Sequence, residues 1–208
     1  MKHINIPYAT FIALLLVLAG SPGMVVAQSD ANTHGAFLNI RAGGHGVAFE
    51  NDDDGEGLGS GLRLGYGFNK RFTMYLGMEV AGMKGDMEFE EFAAGDEFSV
   101  AFFELGGRYH FRPQERLVPF ADASLAIMGV IYEKDQTTNG TEVTYGGLGG
   151  SFGGGVMYFV TPKFAVEGAA SFVPGNLSDR SVGNQDNSVD IGMASVRMTV
   201  GVSFYPFR

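Results

Sequence analysis

The feature that most narrows what this chain can become is an alternation of period two. Large apolar side chains take one parity, and glycine or small polar residues take the other. It is clearest at Leu62, Leu64, Tyr66 and Phe68 against Gly61, Arg63, Gly65 and Gly67. It returns at Phe72, Met74, Leu76, Met78 and Val80 against Thr73, Tyr75, Gly77, Glu79 and Ala81. Near the end, Val196, Met198, Val200, Val202 and Phe204 oppose Arg197, Thr199, Gly201 and Ser203. Successive side chains of a strand point to opposite faces, so such segments are strands with one apolar and one small face. The whole chain reads as eight of them, at 36–48, 58–68, 72–83, 98–111, 118–131, 145–160, 163–173 and 189–205. Each reaches the roughly 9–11 residues with which a tilted strand crosses a bilayer.

The connections alternate in length: long near 49–57, 84–97, 132–144 and 174–188, short near 69–71, 112–117 and 161–163. Four long and three short connections suit eight up-and-down strands whose termini share one side. The predicted fold is therefore all-β: an eight-stranded antiparallel up-and-down transmembrane β-barrel with four long outer loops and three short periplasmic turns. Charge agrees with this reading. The long connections hold 16 of the 23 acidic residues, among them Glu50, Asp52, Asp53, Asp54 and Glu56, then Asp86, Glu88, Glu90, Glu91, Asp96 and Glu97. Lys70, Lys84, Lys134 and Lys163 all fall at turns, loops or strand ends, whereas a soluble lipocalin-like barrel would carry charge along its outer wall. Tyr66, Phe68, Phe72, Tyr109, Phe111, Tyr158, Phe164 and Phe204 share the apolar parity beside the short turns, where an interfacial aromatic girdle belongs.

Residues 1–27 read as a cleaved secretory signal: Lys2, an apolar stretch from Phe11 to Leu18, a break at Gly20-Ser21-Pro22 and small residues to Ala27. The barrel domain is then 28–208. The chain has a net charge of −9, and losing Lys2 takes it to −10, which argues against nucleic acid as a partner. There is no cysteine, so disulfides, thiolate metal sites and a cysteine nucleophile are excluded.

Architecture and local phrases such as the run from Gly153 to Lys163, a strand entering a Thr-Pro-Lys turn, resemble the small eight-stranded outer-membrane barrels. These include the OmpA transmembrane domain and the OmpX and opacity-type proteins. The resemblance implies a Gram-negative outer-membrane location, with lipid and lipopolysaccharide around the barrel, a monomeric state and assembly by the barrel-insertion machinery. That machinery commonly reads a terminal aromatic residue, whereas here Phe207 is penultimate.

Eight strand charges share the small-residue parity: Arg41, Arg63, Glu79, Glu104, Arg108, Asp122, Glu167 and Arg197. An Arg facing lipid near the midplane costs about 2–4 kcal/mol, so these side chains are expected in the lumen. Four cations and four anions suit a network of paired charges in a filled interior, as the resembled family also implies; the alternative is a porin-like narrow channel for small solutes. A lipid A-modifying enzyme would need a serine, a histidine and an acid near the outer leaflet. Of His34, His45 and His110, only His45 is near the outer rim, and its nearest serine, Ser60, has lipid-facing parity. Glu50, Asp52 and Asp54 before Gly55 look like the start of a calcium loop, but its twelfth position would be Gly61 instead of a bidentate Glu. The sequence thus predicts a non-enzymatic envelope protein without cofactor, acting structurally or through acidic outer loops that attract divalent cations weakly.

Overall fold

The computed structural model describes residues 31, 33–50, 53–86, 96–134, 141–182 and 185–206. The signal segment, and Asp52, Glu88, Glu90, Glu91 and Phe207, lie outside the described residues. The strands are β1 (Gly35–Phe49), β2 (Asp54–Gly67), β3 (Phe72–Asp86), β4 (Asp96–His110), β5 (Leu117–Lys134), β6 (Thr141–Thr161), β7 (Phe164–Val182) and β8 (Gln185–Phe204). Each pairs antiparallel with its sequence neighbour, and β1 pairs with β8 to close the barrel. Closure removes the free sheet edges, which is what a sheet surrounded by lipid requires.

Alternation decides the faces as the sequence predicts. Leu62, Leu64, Tyr66, Phe72, Met74, Leu76, Met78, Phe103, Leu105, Val200 and Val202 lie on the exposed outer wall. Thr73, Tyr75, Glu79 and Ala81 of β3 point inward and are buried. The aromatic girdle surrounds the short-turn end, with Phe164 stacked on Phe204 at 4.7 Å and Tyr109 edge-on to Phe111 at 5.3 Å.

The strands run further than the sequence pattern suggested. Asp54–Gly57, read as loop, are paired residues of β2, and most of 174–188 belongs to β7 and β8, Arg180 included. The reason is polarity. On β7 and β8 the outward side chains change from Phe172 and Val196 to Asn176, Ser178 and Asp190, and an Asn176 Nδ2–H donates to Asp190 Oδ1 across the ladder at 2.6 Å. Backbone pairing continues into water, but the apolar parity that marks a lipid-facing strand stops.

The wall is also uneven. β1 to β4 hold 14–15 residues, whereas β5 to β8 hold 18–21. At about 3.3 Å per residue and a tilt of about 40°, the longer half rises roughly 10–15 Å higher. Pro174 lies in this half. It has no N–H to donate, and the β6–β7 ladder passes from the Gly149–Gly175 pair to the Phe152–Phe172 pair.

Candidate functional site

The interior is stacked in three zones. At the short-turn end, Phe37, Tyr75, Val118, Phe120, Met157, Phe159 and Tyr205 form one buried apolar cluster. Tyr205 follows the last strand, turns into the bore and stacks on Phe37 at 5.6 Å, while its hydroxyl reaches Met157 Sδ at 3.7 Å. At the outer end a second cluster includes Phe49, Met83, Phe98, Phe102, Met128, Val130, Tyr145, Leu177 and Met193. The charges lie between them.

All eight charged residues singled out from parity are buried and joined in that middle zone. The chain of contacts can be followed from the outside inward. His45 Nε2 lies 3.0 Å from Glu79 Oε1, and Arg41 Nη2 lies 3.0 Å from Glu79 Oε2. Arg197 joins Glu79 at 3.5 Å to Glu104 at 2.6 Å. Arg41 is 3.7 Å from Glu104, and Arg63 is 3.1 Å from it. Arg63 then hands the network to Asp122 at 3.0 Å, and Arg108 joins Asp122 at 3.1 Å to Glu167 at 2.9 Å. Ser203 donates to Glu167 at 3.1 Å, and Asn39 donates to Ser203 at 3.0 Å, so the network ends on β1 and β8. Glu104 and Arg108, four residues apart on β4, thus meet different partners and are linked through Arg63 and Asp122.

Three guanidinium groups also lie over aromatic faces: Arg63 over Tyr75 at 4.2 Å, Arg108 over Phe120 at 3.7 Å and Arg197 over Phe102 at 4.9 Å. Each ring draws a cation from its own side while carboxylates hold it from the other. Small residues make the room. A Cβ on Gly77, which pairs with Arg63, would lie 3.2 Å from Arg63 Cγ, and one on Gly201, which pairs with Arg41, would lie 2.9 Å from Arg41 Cβ.

Sequence reasoning missed the rings, Asn39, Ser203 and His45 as members of this network, although inward parity was available for all of them. The sequence places His45 near the outer rim; the structure buries it in the lumen against Glu79. Ser60, its nearest serine in sequence, is exposed on the outer wall. His34 precedes β1 against Tyr66, and His110 ends β4 with its backbone N–H donating to the Arg71 carbonyl at 2.8 Å. Both lie at the short-turn end.

Of the three candidate cation ligands, Asp52 lies outside the described residues. Gly192 N–H donates to Glu50 Oε2 at 3.4 Å, so that carboxylate faces β8, while Asp54 is an exposed strand residue paired with Asp86. Among the described residues no cluster of three or more His, Cys, Asp or Glu side chains is arranged to hold a metal. Acids do crowd the outer rim. They include Asp54, Glu56, Glu97, Asp179, Asp186 and Asp190, with Lys84 joined to Glu97 at 2.7 Å and both side chains largely in water.

Residues 11–204 match the family described as outer membrane protein beta-barrel domain. Among solved structures, the Neisserial surface protein A is 18% identical with a TM-score of 0.57, over 81% of this chain and 96% of that one. OprG from Pseudomonas aeruginosa is 14% identical with a TM-score of 0.55, over 84% and 98%. AlkL, solved in DMPC bilayers, is 14% identical with a TM-score of 0.52, over 88% and 96%. At these identities the likeness is one of fold. No curated protein matches the chain by sequence.

Proposed function

The chain belongs to the outer membrane protein beta-barrel family, a family of the bacterial outer membrane, and from that membership we propose a closed, non-enzymatic barrel that acts through its acidic outer rim. The observation that carries this reading is the filled bore. Paired charges occupy its middle and a packed apolar cluster occupies each end, so the inner surface is committed to the barrel itself. The lower wall is committed to lipid. What remains for a partner on the outer side is the water-exposed rim, carried highest by β5 to β8.

The channel reading would need a polar, hydrated path along the axis, and the two apolar clusters argue against one. The lipid A enzyme would need a nucleophile beside a histidine at the outer leaflet. The burial of His45 against Glu79 and the outward position of Ser60 favour the non-enzymatic reading. The rim carboxylates repel one another and the lipopolysaccharide beside them. Calcium or magnesium relieves both by weak, diffuse association without a dedicated cage.

The test is a deletion strain complemented with two barrels: the parent, and one with Asp54, Glu56, Asp96, Glu97, Asp179 and Asp186 replaced by amides. The altered barrel should restore envelope integrity and lose surface adhesion. Single-channel steps from the parent in a planar bilayer, or a lipid A mass shift on its expression, would replace this reading with one of the alternatives.

A further inference from the structure

The short-turn end carries charge of the opposite sign to the rim. Its three turns present Lys70 and Arg71 between β2 and β3, Arg112 and Arg116 between β4 and β5, and Lys163 between β6 and β7. Glu115 is the one carboxylate among the described residues of these turns, and Arg112 lies 3.7 Å from it. Two of the turns are built alike. Asn69 Oδ1 accepts from the backbone N–H groups of Arg71 at 2.8 Å and Phe72 at 2.9 Å. Thr161 Oγ1 accepts from those of Lys163 at 3.3 Å and Phe164 at 3.1 Å. In both, the polar side chain folds back to hold the turn, and Lys70, Arg71 and Lys163 stand exposed.

These cations adjoin the aromatic girdle. Tyr66, Phe68, Phe72, Tyr109, Phe111, Tyr158 and Phe164 flank the same turns, all exposed on the outer wall. Such rings sit at headgroup depth. A cation one or two residues beyond them is therefore level with lipid phosphates, and short turns of these barrels face the periplasm. We infer that the short-turn end is a binding surface for anionic phospholipid headgroups of the inner leaflet. It rests on the family's membrane placement and is independent of any role for the acidic rim.

Recognition has two parts. The rings cover the glycerol and upper acyl region, which any phospholipid offers. The cations add selectivity for net negative charge, with Arg71 able to grip a phosphate through two N–H groups. A cation beside an anionic bilayer surface strengthens association about five-fold at physiological ionic strength. Diluted over the whole lipid shell, the preference should be about two- to four-fold. Peptidoglycan is also anionic, but it would not engage cations set level with the girdle.

The test is spin-label electron paramagnetic resonance on the full-length protein refolded into phosphatidylcholine vesicles, probed with spin-labelled phosphatidylglycerol and, separately, phosphatidylcholine. Phosphatidylglycerol should be enriched in the immobilised shell about two- to four-fold. Enrichment should collapse toward parity at 1 M salt, where charges are screened within about 3 Å. It should fall by more than half in the K70Q/R71Q/K163Q variant, which keeps Arg112 and Arg116, and survive in Lys84→Gln, at the opposite end. Equal retention of both lipids by the parent would overturn the inference, as would a preference that outlasts both salt and the triple substitution. If the triple variant loses its heat-shifted migration and so is unfolded, the salt arm on the parent decides alone. Parity of the two lipids together with sedimentation on peptidoglycan sacculi, lost in the variant, would give the surface to the glycan and end the lipid assignment.

Discussion

The same chemical group, a carboxylate, does opposite things in two parts of this barrel. In the bore, Glu79, Glu104, Asp122 and Glu167 are buried, and each touches at least one guanidinium. At the rim, Asp54, Glu56 and Glu97 stand in water, and the Lys84–Glu97 pair at 2.7 Å is shorter than most of the buried contacts. Length is a poor guide to worth here. An exposed pair competes with water and salt, and it orders two flexible side chains for little return. A buried pair gains little over an apolar filling of the same shape, yet breaking it strands a charge with no water to receive it. Losing a bore carboxylate therefore threatens the fold, and losing a rim carboxylate does not.

The comparison can be broken by substitution. Glu104→Ala should have the largest effect, because Arg41, Arg63 and Arg197 all contact that carboxylate. A loss of about 3–5 kcal/mol in reversible urea unfolding in lipid is expected. Adding Arg197→Ala should cost less than the sum of the two single changes, since one stranded charge is removed with its partner. Strict additivity would mean that the 2.6 Å contact carries no coupling.

Tyr205→Ala comes next. It removes a buried ring stacked on Phe37 and tilted against Phe159, a truncation of the kind that costs about 3 kcal/mol. Because the charge network lies deeper, this variant should still show no conductance steps in planar bilayers; steady conductance would mean that the aromatic stack alone closes the bore.

At the rim, replacing Asp54, Glu56 and Glu97 together by amides should leave the unfolding midpoint where it is. It should abolish any calcium-dependent protection of the outer connections from protease. Protection in the parent that never depends on calcium would retire the cation reading while leaving the comparison intact. Lys84→Ala should do least, with no measurable change in unfolding at physiological salt. A loss comparable to that of Glu104→Ala would erase the distinction between the two regions.

Much of this was open to a reader of the amino-acid chain. Period two settles which side chains face lipid and which face the lumen, because strand geometry permits no other arrangement. It therefore identified Arg41, Arg63, Glu79, Glu104, Arg108, Asp122, Glu167 and Arg197 as lumenal before any coordinates. The girdle aromatics likewise marked the short-turn end. The pattern misjudged where strands stop, since it recognised them by apolar outward residues, and Asn176, Ser178 and Asp190 carry the sheet into water without any.

Which charge meets which was decided only by the closed sheet. Arg197 on β8 and Glu104 on β4 are 93 residues apart, on strands that are far from neighbours around the ring, and they meet because the bore is narrow enough to span. Parity states a direction along one strand. The height at which two inward side chains coincide depends on the register of every ladder between them, fixed once β1 closes on β8. Tyr205 shows the same division. Its inward direction follows the parity of Gly201 and Ser203, but that its ring meets Phe37 and Phe159 was decided by closure. Local alternation determined the two faces, and closure in three dimensions decided the contacts made across them.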